Sequence, residues 1–468
     1  MSPHSLTRRA PRSLFSSADE SPALFTREQS LALAQKVQGY ITALDETVAV
    51  SSSLAGTTEF ALNDVQHGED SSHHGVRFAA QFDKRRAGMD TDRLDDESLR
   101  AVVAKAEALA QALAVLAPVE EPEDSLRPVP SVNPVLWSDN SLALLAPEGR
   151  LTAIDTSVSA ARKAGLVGAG SIASYPSTSA VLTKAGHFEY GRTSTCQYAL
   201  TARTTDGTGS GWAAWEGEDW SKLNVNALTE RAINLAQRSK NSVAIEPGRY
   251  TVVMTPDAVG ELVQMIARVL SGREADRGLT PFSKPGGGNK IGMKVLDDRV
   301  SLSADPMDPD GGFLPFQFVA GQIVQFVPVT WIDHGVLKVL SYPTRAMAAV
   351  HDLDQVNNPS VLRMSGGPTS IDDMIASTTR GIYITRFSDV SLVSRKTLYM
   401  TGVTRDGTFL IEHGKITKPI KNLRFEDSPF FFLNNLEALG PARRVQRGNV
   451  MPPVMARDFA FTSLTDAV

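Results

Sequence analysis

EPGRYTVVMTPDAVGELVQMIARVLSG, residues 246–272, carries the strongest local signal in the chain. Pro247-Gly248 is a turn, and Arg249 to Met254 reads as a strand. Thr255-Pro256-Asp257 then opens a helix, because the Thr255 hydroxyl can accept from the free N–H groups of the first turn and Pro256 suits the first helical position. Val259, Leu262, Val263, Ile266, Val269 and Leu270 recur at three- and four-residue steps, which predicts one apolar helix face with Gly272 as its stop. A strand feeding a capped helix is a rigid mount for chemistry.

Upstream, Thr26 to Leu44 has a capping-type start and helical periodicity. Glu46–Ser52 and Gly75–Gln81 read as short strands joined by a hydrophilic loop that holds Asp64, His67, Glu69, Asp70, His73 and His74. Those residue types suit a metal, but zinc needs a fixed framework, so the reading is a solvated connection. Asp90 to Leu116 is the longest helical signal, with acidic residues in its first turns where the helix dipole favours them. A further helix is predicted from Pro147 to Ala164, then a meander of strands to Trp212 and a helix over Ala227 to Ser239.

Downstream, Arg273 to Asn289 reads as a mobile glycine-rich connection without phosphate-loop spacing. Asp305 to Gly311 resembles a calcium loop but lacks the closing acidic residue, so a turn is expected. From Phe313 the chain is strand-rich, with hairpin turns at Asp333–Val336 and Glu412–Lys415, a helix capped by Ser370 and another candidate at Asn434–Leu439. Strands and helices are segregated rather than alternating, which predicts an α+β fold: N-terminal α/β-type subdomains with an antiparallel sheet, and a β-rich C-terminal domain. The expected divisions are a disordered tail at 1–24, an α+β domain at 25–117, a proline-rich connection at 118–135, a middle α+β region at 136–243 and a β-rich domain at 244–468.

The chain has 468 residues, 42% of them hydrophobic and 21% charged, with a net charge of −5, an ordinary globular balance with no concentrated basic face for nucleic acid and no electrostatic pull to an anionic membrane. The single cysteine, Cys196, excludes an internal disulfide framework and points to a reducing cytoplasm. It falls on a strand with no His–Asp pattern beside it and reads as a small core thiol.

Several segments, taken in order, resemble the TldD/PmbA family, long called "modulator of DNA gyrase". They are Glu246 to Val253 followed by Pro256-x-Ala258, Gly335-Val-Leu337, Gly366 to Ser370, Arg380-Gly-Ile382 and the run GVTRDGTFLIEHGKITKPI from Gly402 to Ile420. Leu94 to Arg100 and Asp206 to Trp212 also fit, so the resemblance extends from about residue 25 to the C terminus. It implies dimers that enclose a peptide-accessible cavity, built from two kinds of subunit. The TldD kind is a zinc peptidase with a His-Glu-x-x-x-His motif on the helix after the Gly-x-Tyr-Thr-Val strand, and the PmbA (TldE) kind lacks that motif and pairs with it.

Registered on Leu262 and Leu270-Ser-Gly272, the motif falls on Val263, Gln264 and Arg268. Valine has no lone pair for a metal, glutamine is no general base and a guanidinium cannot ligate zinc. No cysteine follows Cys196, and Gly440 to Gly448 stands where the family's late cysteine would lie; Gln317 to Gly321 replaces an acidic stretch. The resemblance therefore implies a non-catalytic PmbA/TldE-type subunit without catalytic or metal-binding residues of its own. Zinc is expected only in a TldD-type partner, and the partner is that homologue or a second copy. Arg268 and Arg273 are the candidates for contacting a peptide. The alternatives are a homodimeric peptide-binding protein, or a peptidase that uses other residues such as Cys196.

Overall fold

The computed structural model describes residues 24–43, 45–82, 85–116, 136–319, 322–343, 345–359 and 361–465. The tail expected at 1–24, up to residue 23, and the connection at 118–135 lie outside the described residues.

Helix α1 (Arg27–Gln38) opens with a capping box: the Gln29 N–H donates to Thr26 Oγ1 at 3.2 Å and the Thr26 N–H to Gln29 Oε1 at 2.8 Å. It stops at Gly39, short of Leu44. Strands β1 (Asp45–Ala61) and β2 (Asp64–Phe82) then form one long antiparallel hairpin, turned at Leu62-Asn63 with both residues at positive φ. The hydrophilic loop expected here does not exist. Its residues are strand residues of β2, held extended by the ladder to β1, whose alternate side chains are buried; the outer half of β2 carries no apolar signal of its own. Asp70 is no loop residue either, since its carboxylate meets the buried Arg150 at 2.6 Å.

β3 (Arg85–Thr91) follows, so the helix expected from Asp90 begins later, as α2 (Asp96–Leu116), with Asp95 Oδ1 accepting from the Ser98 N–H. Next come α3 (Pro147–Lys163), β4 (Leu166–Ser174), β5 (Ser177–Thr183), β6 (Phe188–Thr193), β7 (Cys196–Thr204), β8 (Ser210–Gly217) and α4 (Val225–Arg238), close to the expected meander. These eight strands form one antiparallel sheet, six of them in the order β3-β2-β1-β4-β7-β8, with β5 pairing β1 off this path and β6 pairing β5. The far edge of β1 is shared, its first half pairing β5 and its second half β4. α1 and α2 cover one part of the sheet, with Val37, Leu99 and Val103 on Val48 and Phe78. α3 and α4 cover another, with Ile154, Val158 and Ala232 on Ile172 and Leu200. Cys196 is wholly buried in that second cluster, as the strand reading required.

The C-terminal half is β-rich. Strand β9 (Arg249–Met254) lies between Arg380–Ser394, to which it is parallel, and Val454–Leu464. The ring continues through Leu423–Asp427 and Tyr399–Glu412, which pairs back to Arg380–Ser394 and closes a barrel. Phe387, Phe425 and Phe459 pack together inside it. Both expected hairpin turns are present, with His334-Gly335 and His413-Gly414 at positive φ. A small ribbon, Phe316–Val319 with Gln322–Gln325, reaches across to the N-terminal sheet, where Phe316 and Ile323 bury against Val181. The fold is α+β, as expected.

The opening stretch departs from expectation at its end. Thr255 caps α5 (Pro256–Val263), but α-helical geometry stops there and Gln264–Val269 continues as a 3₁₀ helix. Gly272 is no stop: it begins α6 (Gly272–Asp276), where a Cβ would sit 2.2 Å from Cζ of Tyr342, so the ring leaves room only for glycine. The segment expected to be a mobile connection after it is anchored, with Phe282 fully buried and Asn289 bonded to Asp276 and Tyr342. The Asn434–Leu439 helix is instead a strand, Leu436–Leu439, added to Val454–Leu464. The calcium-like turn is closed by a cation of the protein itself, because Arg363 pairs with both Asp308 and Asp310. No helix among the described residues is long and apolar enough to cross a membrane.

Candidate functional site

The polar side of α5 faces a cleft of about 240 Å³. Asp257, Gly260, Glu261 and Gln264 line it from the helix, at the three- and four-residue steps that put side chains on one helix face. Trp212 enters from β8, Arg386 from the Arg380–Ser394 strand, and Val445 to Arg447 close the mouth.

Charge is arranged closely around this helix face. Arg443 and Arg231 both reach the Asp257 carboxylate, Arg231 at 3.7 Å. Gln264 bridges the two sides, its amide donating to Glu261 Oε2 at 3.2 Å and its oxygen accepting from Arg447 Nη1 at 2.8 Å. Burial raises the Glu261 carboxyl above its ordinary value, against the pull of Arg447 and Arg386. Arg386 lies over the Trp212 ring at 4.7 Å from its centre and pairs with Asp406 at 3.2 Å, while Ser210 donates to the same Asp406.

The Gln446–Gly448 turn is held from the N-terminal sheet. Arg447 and Gly448 both adopt positive φ, at 63° and 72°, a conformation unusual for arginine. Their successive N–H groups converge on one anion, the Glu216 carboxylate, at 3.0 and 2.7 Å. Glu216 also accepts from Gln197 at 3.1 Å and faces Arg444 at 3.6 Å, and Arg444 pairs with Glu218. A carboxylate on β8 therefore sets a strained turn of the C-terminal half beside α5.

The three positions registered from the sequence do not converge here. Val263 is fully buried in the core behind the helix. Gln264 alone lines the cleft. Arg268 is exposed, its backbone carbonyl accepting from Arg395 at 2.6 Å, and Arg273 is exposed on α6; neither lines the cleft. The residues that build the site were missed in the sequence, namely Glu216, Glu218, Asp257, Glu261, Arg443, Arg444 and Arg447. The signal available was the run PARRVQRG at 441–448, which gathers three arginines in eight residues.

Zinc does not fit this donor set. No histidine or cysteine lines the cleft, and the two α5 carboxylates face guanidinium groups that a cation would have to displace. Among the described residues, no group of three or more His, Cys, Asp or Glu side chains could hold a metal ion. The Cys196 thiol, pushed up to about 11 by burial, is no nucleophile at neutral pH.

Residues 247–463 match the family described as the PmbA/TldA metallopeptidase C-terminal domain. No curated protein matches the chain. Among solved structures, a proposed modulator of DNA gyrase from Bacteroides thetaiotaomicron VPI-5482 superposes with a TM-score of 0.77 at 20% identity, covering 94% of this chain and 100% of its own. A second proposed gyrase modulator, from Thermotoga maritima MSB8, gives 0.76 at 16% identity over 93% and 99%. TldE from Thermococcus kodakarensis gives 0.74 at 18% identity over 92% and 99%.

Proposed function

The chain belongs to the PmbA/TldD family, and from that premise we propose that it is a non-catalytic subunit of the PmbA/TldE type, working with a metal-bearing TldD-type homologue in peptide processing in the cytoplasm. The observation that supports this reading is the pairing of arginines with the α5 carboxylates. Arg443 and Arg447 stand against Asp257 and Glu261, the acidic residues of the α5 face, and Gln264 ties Glu261 to Arg447. A metal-activated water needs a coordination shell, and here no histidine or cysteine lines the cleft and the α5 carboxylates are paired with guanidinium groups.

In this role the subunit contributes architecture and peptide contact. Arg268 and Arg273, exposed on the same helical run, are its candidate peptide contacts, and exposed sheet edges would take an extended chain by strand addition.

The test is co-expression with a homologue that carries an intact His-Glu-x-x-x-His motif, followed by cleavage of an unfolded peptide by each chain alone and by the pair. Co-purification and a rate for the pair above that of the homologue alone are expected, with zinc in the homologue only. Zinc-dependent cleavage by this chain alone would refute the reading, as would a homologue indifferent to its presence. A stable homodimer that binds peptide and ignores the homologue would favour a self-sufficient binding protein.

A further inference from the structure

A second and larger cavity, of about 980 Å³, is lined by residues from the end of α6 onward. Arg277, Lys284, Lys290, Lys294 and Lys396 line it, against a single carboxylate, Asp276. Composition does not explain this gathering, because the chain as a whole has 52 acidic residues to 47 basic ones. The one carboxylate is already committed. Asp276 accepts from Tyr342 Oη at 2.9 Å and from Asn289 at 2.7 Å, and it pairs with His351 at 2.9 Å.

Two of the cations are also spoken for: Lys290 donates to the Pro281 carbonyl at 2.8 Å, and Lys294 pairs with Asp298 at 2.6 Å. Arg277, Lys284 and Lys396 are exposed and have no carboxylate partner among the described residues. Like charges brought to one cavity repel, and the repulsion is relieved when an anion enters. The rest of the lining is not polar. Pro281, Met293, at 45% exposed, and Phe430 provide an apolar surface, and Phe430 is held edge-on against the buried Phe282. One wall, Gly286-Gly287, is bare backbone at positive φ with open space where each Cβ would project, so another main chain can approach closely.

We propose that this cavity binds an acidic segment of a polypeptide, with carboxylates against Arg277, Lys284 and Lys396 and apolar side chains on Met293 and Phe430. The inference rests on the peptide-handling reading above and adds a substrate preference to it. A free phosphate would satisfy the cations but leave the apolar surface unused and most of the volume unfilled. A neutral peptide would leave the cations uncompensated.

The test uses the full chain and three fluorescent octapeptides, alternating Leu with Glu, Gln or Lys, read by anisotropy. The Glu peptide should bind at least about tenfold tighter than the Gln peptide in low salt, and the preference should shrink as salt shortens the screening length. The triple variant Arg277→Ala/Lys284→Ala/Lys396→Ala, made at exposed and unpaired positions, should lose that preference and bind the Glu and Gln peptides alike. Equal binding of the Glu and Gln peptides overturns the proposal, and so does a preference that survives in the triple variant. Saturable binding of inorganic phosphate without peptide binding also overturns it, as a small-anion site only. The two readings fail separately. If the pair cleaves neutral peptides and no acidic preference exists, only this inference falls; if lysine-dependent Glu-peptide binding persists without any effect on the homologue, only the subunit reading falls.

Discussion

The Glu216→Gln variant tests whether one carboxylate holds the cleft in shape. In the native chain Oε1 accepts from the Gly448 N–H and faces Arg444, while Oε2 accepts from the Arg447 N–H and from Gln197. An amide keeps only one accepting atom, so whichever way it turns, an NH₂ group meets a backbone N–H. One backbone bond is then lost outright, and the other no longer has a charged acceptor. Hydrogen bonds to a charged group are worth about 1.5–3 kcal/mol each, so the turn should be loosened by about 2–4 kcal/mol, which opens it on the order of a hundredfold more often. Arg447 sits at a φ of 63°, so released from its clamp it will relax towards an ordinary arginine conformation. Hydrogen exchange of the 444–449 segment, followed by mass spectrometry, reads this directly. Protection there should fall about a hundredfold while the barrel strands are unaffected, and adding Arg447→Gly should restore about 1 kcal/mol because glycine pays no penalty at positive φ. Unchanged protection in Glu216→Gln would refute the clamp, and failure of the glycine to restore any would refute the strain.

Three further outcomes follow from buried charge and burial. Asp70→Asn removes the partner of an arginine whose side chain is 1% exposed, and should cost about 3–5 kcal/mol in urea unfolding; a loss below 1 kcal/mol would mean that the Thr58 and carbonyl contacts of Arg150 suffice. Cys196 should resist iodoacetamide at pH 8 in the folded chain and react once it is denatured, since burial pushes its thiol up to about 11; rapid native labelling would contradict that burial. Glu261 has its carboxyl raised by burial above the ordinary 4.5, so the folded form holds its proton to higher pH than the unfolded form. Its effect is absent below pH 4.5 and becomes a destabilisation as pH rises through the folded value, so Glu261→Gln should stabilise the chain at neutral pH and give no gain in acid, as denaturation at several pH values would show.

What was legible in the sequence is what is decided locally. The caps at Thr26, Thr255 and Ser370 are side chains bonding an N–H three residues on, and the Asp333–Val336 and Glu412–Lys415 turns need only a histidine and a glycine at positive φ. The β1–β2 hairpin was hidden because the conformation of β2 is imposed by pairing with β1, while its own residues alternate polar with polar. The early end of α5 was hidden for a related reason: the apolar steps continue through Val269, and a 3₁₀ segment preserves enough of that periodicity to look like helix. The site itself depends on contacts that no window spans. Arg443 meets Asp257 across 186 residues, and Gly448 meets Glu216 across 232.

This separation bears on what a metal centre in the cleft would require. Registering the motif on the helix made Val263, Gln264 and Arg268 the substituted positions, yet in this chain only Gln264 faces the cleft. Placing histidine at 263 would insert an imidazole into a core that is fully closed, and histidine at 268 would stand in solvent. Changing the helix alone therefore cannot supply a coordination shell. The 441–448 segment must change with it, because its arginines hold Asp257 and Gln264, and because the turn that delivers Arg447 is fixed by Glu216 from β8. Helix, arginine segment and sheet carboxylate form one charge-balanced unit. Removing Arg443 would leave the buried Asp257 carboxylate with only the 3.7 Å contact of Arg231, and removing Glu216 would release the turn that carries Arg447, so these contacts constrain one another across the three segments.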